Sequence, residues 1–187
     1  MYTENQEFEK NDFRDGSLAK GTYEECHFRG CNFNSVDLSD YLFINCTFEE
    51  CDASLVKLRN TSLQQVRFLR CKLLGVQFSD CRQLLLAMEF EQCMVKLALF
   101  YKLKLKNSRF IECNLQEADF TEADLTSATF QQCDLLQATF FHTNLEKADF
   151  RSAFNYSINP ETNRLKKARF SITGITGLLE SYGIEVN

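Results

Sequence analysis

The apolar positions of this chain return every five residues over most of its length. Between Ser108 and Phe150 they fall at Phe110, Leu115, Phe120, Leu125, Phe130, Leu135, Phe140, Leu145 and Phe150. Two residues ahead of each stands a small side chain: Ser108, Cys113, Ala118, Ala123, Ala128, Cys133, Ala138, Thr143 and Ala148. A helix repeats its apolar face every 3.6 residues and a strand every second residue. A period of five fits neither and predicts a chain that turns a corner every five residues. The same frame runs back through Leu105, Phe100, Val95 and Phe90. Upstream it reappears two residues out of phase, from Phe8 and Phe13 to Leu73 and Phe78. The frames meet in Cys81–Met88 (CRQLLLAM), which predicts a two-residue insertion near residues 82–87. Its apolar content predicts a bulge packed on the wall.

A central Phe or Leu, a small residue two before it, and Asp, Asn, Arg or Thr between them resemble the pentapeptide-repeat family. The resemblance implies an all-β fold: a right-handed quadrilateral parallel β-helix with four five-residue faces per coil. Steps of 20 residues, and 22 across the insertion, test this. The first face collects Phe8, Phe28, Phe48, Phe68, Phe90, Phe110, Phe130, Phe150 and Phe170. A five-residue period alone does not require identity at 20, so nine Phe in one column support a 20-residue coil. The second face runs from Phe13 and Phe33 to Leu135 and Asn155, and the third from Leu18 and Leu38 to Phe140 and Pro160. The fourth runs Tyr23, Phe43, Leu63, then Leu85 or Gln83, then Leu105, Leu125, Leu145 and Leu165. About eight coils result, stacked at about 4.8 Å. Each must bury its interior against its neighbours. The same steps set Arg29 between Glu9 and Glu49, Arg70 beside Glu50, Lys72 beside Asp52, Arg109 beside Glu89, Lys102 beside Glu122 and Lys104 beside Asp124. Such cross-strand pairs support the register.

The expected division is a β-helix over residues 1–170 and a helix with tail over 171–187. Asn155 and Pro160 stand at apolar positions, so the coil at 154–163 is expected to loop outward. In the tail, Ile175, Leu178, Leu179 and Tyr182 have helical spacing, and Gly183 reads as a stop. An apolar face at the end of a rod calls for a partner.

Composition narrows the function classes. With 187 residues, 18 Phe and a single Pro, the chain reads as one folded domain. The polar start MYTENQEFEK and the lack of a long apolar run predict a cytoplasmic protein with no membrane span. A net charge of −5 disfavours direct nucleic-acid binding. Charge is banded: −6 over residues 1–60, +5 over 61–106, −5 over 107–155 and +1 over 156–187. The basic belt at 67–106 comprises Arg67, Arg70, Lys72, Arg82, Lys96, Lys102, Lys104 and Lys106. Nine cysteines first suggest metal or redox chemistry. Yet Cys31, Cys51, Cys71, Cys93, Cys113 and Cys133 form one column at the small inward position, Cys26 and Cys46 another, and Cys81 a third. That placement predicts packing. His27 and His142 fall at outward positions with no converging cluster. A rod filled with Phe leaves no convergent polar pocket, so neither an enzyme nor a cofactor or metal site is expected.

The segments INPETNR (158–164) and LLESYGIEV (178–186) are similar to the C-terminal region of microcin B17 resistance proteins. Their layout resembles that of the Qnr and MfpA quinolone-resistance group. That resemblance implies a homodimer joined end to end through the C-terminal helix, with Ile175, Leu178, Leu179, Tyr182 and Ile184 as contacts. It also implies a non-enzymatic DNA mimic that occupies the DNA site of a type II topoisomerase, DNA gyrase or topoisomerase IV, and protects it from quinolones or peptide toxins. The other reading is a structural or interaction scaffold with an unrelated partner.

Overall fold

The computed structural model describes residues 1–184. Seven short parallel strands, from Glu7–Glu9 to Thr129–Gln131, stack into one sheet on the first face. Four more, from Tyr2–Glu4 to Ser62–Gln64, form a second sheet on the fourth face. Phe pairs with Phe throughout the longer sheet, from Phe8↔Phe28 to Phe110↔Phe130. Phe68↔Phe90 keeps the column across the insertion. The continuous sheet therefore closes six turns, fewer than the eight expected coils, and single bridges Thr129↔Asp149 and Asp149↔Arg169 carry the stack onward. The second and third faces are joined only by isolated parallel bridges such as Asp52↔Lys72 and Asp119↔Thr139.

The corners explain why five residues suffice. On these two faces the N–H three residues after a central residue returns to its carbonyl, as in Ala118 N to Leu115 O (3.1 Å) and Ala123 N to Phe120 O (3.0 Å). The residue between must take positive φ, and Glu117 and Glu122 do so at 59° and 57°. That conformation costs roughly 1–2 kcal/mol for a non-glycine residue. The same residue's N–H bonds the next coil, Glu117 N to Leu136 O at 2.9 Å, which offsets the strain. Asp or Asn ahead of the centre steadies the turn: Asp119 Oδ1 accepts the Thr121 N–H at 2.8 Å, and Asn114 Oδ1 accepts that of Gln116 at 3.0 Å.

Inside, all nine Phe of the first face stack on their neighbours, with ring centroids 4.7 Å apart at the Phe8–Phe28 and Phe130–Phe150 steps and 5.4 Å at Phe150–Phe170. Phe78, Phe100, Phe120 and Phe140 form a second ladder, edge-on to the first. The small inward position also has a polar task. Cys51 Sγ lies 3.3 Å from Phe28 O and 3.4 Å from Glu49 O, while Thr143 Oγ1 donates to Phe120 O at 2.9 Å. Cys, Ser and Thr recur there because each is small and carries a donor.

Three local expectations are corrected. The insertion does not pack on the wall. Arg82 N and Ala87 N anchor its ends on Thr61 O and Leu63 O, and the turn between them throws Leu84 and Leu85 outward, 75% and 67% exposed. Neither Leu85 nor Gln83 fills the fourth column; Leu86 packs partly on the core instead. The fourth-face sheet ends at this point. The coil after Phe150 does not swing away from the core, since Tyr156 and Ile158 are buried there. Asn163 takes the small inward position, accepting the Thr143 N–H and donating to Phe140 O, each at 2.9 Å. Finally, among its described residues the helical tail holds two 3-10 turns, Ile175–Leu178 and Glu180–Tyr182. It lies so close to the last coil that a Cβ on Gly177 would sit 2.1 Å from Tyr156 O.

Candidate interaction surfaces

The interior cavity between Phe33, Phe43, Phe48, Ala53 and Phe78 measures only ≈ 20 Å³, too little for a ligand, which directs attention to the outside of the rod. All nine cysteines are free and buried. Burial pushes the Cys46 and Cys81 thiols up to about 12, so neither serves as a nucleophile near neutral pH. Among the described residues no group of His, Cys, Asp and Glu is placed to hold a metal. No helix among them is long and apolar enough to cross a membrane.

The outward charges lie largely as the register predicts. Arg29 reaches Glu49 at 4.0 Å, Arg70 reaches Glu50 at 3.1 Å and Lys102 reaches Glu122 at 3.4 Å. His27 Nε2 lies 2.9 Å from Glu49, whose carboxylate is also bonded by Arg70. Two partners differ: Glu89 takes Arg67 at 3.7 Å rather than Arg109, and Asp124 takes Lys106 at 3.3 Å rather than Lys104. Lys72 is the register neighbour of Asp52 without pairing to it. Turn carboxylates are held below the usual range: Asp149 by hydrogen bonds from the Arg151 guanidinium, Asp37 by the Ser39 hydroxyl and N–H. Each exposed pair contributes little to stability, about 0–1 kcal/mol. The belt at 67–106 is thus largely neutralised by acids of adjoining coils, including Lys96 by Glu117 at 3.0 Å.

At the C-terminal end the candidate contact residues separate. Ile175 and Tyr182 are about half exposed and Ile184 is 55% exposed. Leu179 is half-buried, whereas Leu178 turns back onto the core. Ile172, which the helical spacing missed, is the most exposed of the group at 92%. Beside the tail an open cleft of ≈ 420 Å³ runs between Leu136, Phe154, Tyr156, Thr173 and Glu180. Among the described residues the buried Tyr156 hydroxyl has no hydrogen-bond partner, and burial raises its pKa.

Comparison with known proteins agrees with this architecture. The model of the pentapeptide repeat region matches residues 21–100, 84–159 and 103–176. Over 81 residues the chain is 35% identical to the pentapeptide repeat protein MfpA of Mycobacterium tuberculosis. That stretch covers 41% of this chain and 39% of the relative's length. The fold is similar to that of QnrB1, a plasmid-mediated fluoroquinolone resistance protein, with a TM-score of 0.66 at 16% identity over the whole of both chains. A second QnrB1 structure, of the full-length protein, gives a TM-score of 0.65 over 98% of this chain. With a five-residue corner, a stacked Phe column and a family model matched across most of its length, the chain belongs to the pentapeptide-repeat family.

Proposed function

We propose that this chain is a non-enzymatic, cytoplasmic binding protein that docks on DNA gyrase or topoisomerase IV as a DNA mimic and protects it from quinolones or peptide toxins. The observation that carries the reading is the end-to-end likeness of its fold to a fluoroquinolone resistance protein. Similarity to MfpA and the net charge of −5 support it. The active form is a homodimer joined at the C-terminal ends through Ile175, Leu179, Tyr182 and Ile184, with Leu178 bracing the cap from the core side. The half-exposed apolar cap supports this assignment. Leu179→Glu places a charge in that cap and is expected to yield monomer in light scattering; a persisting dimer would move the interface elsewhere.

The deciding experiment is a supercoiling assay with purified gyrase, titrated with the protein in the presence and absence of ciprofloxacin. Rescue from the drug, or direct inhibition, is the expected result. No effect from folded, dimeric protein on either topoisomerase would sink the reading. It would favour the scaffold alternative, which draws support from the interleaving of acids and bases along the rod.

A further inference from the structure

Charge on this rod is sorted by face as well as by length. From Arg82 onward the outward positions of the fourth face carry Arg82, Lys104, Lys147, Arg164, Lys166 and Lys167, together with Lys106, against only Asp124 and Glu146. On each of the other three faces acids outnumber bases. Lys106 already neutralises Asp124. Among the described residues Lys104, Lys147, Arg164, Lys166 and Lys167 enter no ion pair. Lys147 and Lys167 occupy the same corner on successive coils, with φ of 60° and 62°, and Lys166 lies between them in the ladder. Like charges set side by side in this way are unfavourable without an anion between them. At the other end of the strip stand Leu84 and Leu85, the exposed tip of the insertion.

We infer that the fourth face from Arg82 to Lys167 docks a short, extended, acidic segment of a partner protein whose apolar side chains seat on Leu84 and Leu85. The strip spans four coil steps, roughly 19 Å. An extended chain of about six residues covers that length. Its shortness argues for a peptide segment over a long polyanion. Nucleic acid or an anionic membrane lying along the face would run on to Glu24 and Glu25, which stand on the same face before the insertion. The apolar tip likewise calls for a partner with side chains to bury. A cationic partner attracted to the acidic faces would be repelled here, so the two contacts use different sides of the rod.

The test uses the full chain and a fluorescently labelled peptide of two leucines followed by about six glutamates. Parallel arms use a lysine-for-glutamate peptide, a short DNA duplex and phosphatidylserine vesicles. The acidic peptide is expected to bind, and to weaken as salt rises from about 50 to about 300 mM. Lys104→Glu/Lys147→Glu/Lys167→Glu should weaken it roughly tenfold. Leu84→Ser/Leu85→Ser should weaken it several-fold at constant salt. All five side chains are exposed, so circular dichroism and melting of both variants should match the parent. Absence of peptide binding, binding unchanged in both variants, or tighter capture of duplex or vesicles through the same lysines would each overturn the assignment.

Discussion

Replacing Phe110 with Ala tests the stacked core where its neighbours are best defined. Phe110 is fully buried, stacked 5.1 Å from Phe90 and 5.0 Å from Phe130, with Phe100 and Phe120 edge-on at 5.8 and 5.9 Å. Burial of the ring contributes about 1.5–3 kcal/mol by transfer. The hole left behind adds to this, because ladder hydrogen bonds on both sides hold the backbone too firmly to collapse. The expected cost is about 3–5 kcal/mol. For a chain of this size that lowers the melting midpoint by roughly 6–20 °C. Phe170→Ala, on the last rung of the column and only partly buried, should cost distinctly less. Circular dichroism at increasing temperature reads both, and urea titration checks the slope. If Phe110→Ala melted like the parent, or if the two variants lost equal stability, the idea that each coil depends on both neighbours would fail at this position.

Other consequences follow from single contacts. Asn163→Leu removes the side chain that serves both Thr143 N and Phe140 O, leaving two buried backbone groups unpaired; a loss of about 2–5 kcal/mol in urea unfolding is expected, and an unchanged midpoint would show that water replaces it. All nine thiols are buried, so the native protein near pH 8 should react slowly with a thiol reagent and release its full count only in denaturant; rapid native labelling would contradict the inward column. Asp149 has a depressed native pKa through Arg151, so its contribution is present above the unfolded carboxyl value of about 3.9 and fades as pH falls through the lower native value. Asp149→Asn should therefore flatten the acid limb of the stability profile, and an identical limb would remove Arg151 from the account.

The sequence carries most of this architecture because the repeat is enforced by sterics at every turn. Phe110, Phe130 and Phe150 can share a column only if the coil closes in 20 residues, and the Cys column follows from the same closure. The exceptions lie where closure is relaxed. At Gln83–Leu86 apolarity misleads, since extra backbone must go somewhere and the anchors at Arg82 and Ala87 leave only the outside. At Asn155 and Pro160 polarity misleads in the opposite sense, because Tyr156 and Ile158 reach inward from neighbouring positions and keep the core covered. The tail's spacing suits either helix type; the tight approach of Gly177 to Tyr156 accompanies the shorter turn. Charge was legible by length, but the fourth-face strip emerges only when residues 20 apart are read as neighbours on one wall.

That sorting matters because the core and the surface of this rod answer to different forces. The interior ladders contribute kilocalories per ring and are indifferent to salt, whereas exposed ion pairs contribute little to folding and are screened by it. Charge on an outward position can therefore be inverted with little loss of stability, and what inversion does change is the partner the face accepts. If acids on the first three faces and lysines on the fourth serve separate partners, reversing Lys104, Lys147 and Lys167 should leave the topoisomerase titration unchanged or slightly stronger, since it adds negative charge to the rod. A loss of topoisomerase effect in that folded variant would instead mean that one partner touches both sides, and the separation of faces would have to be abandoned.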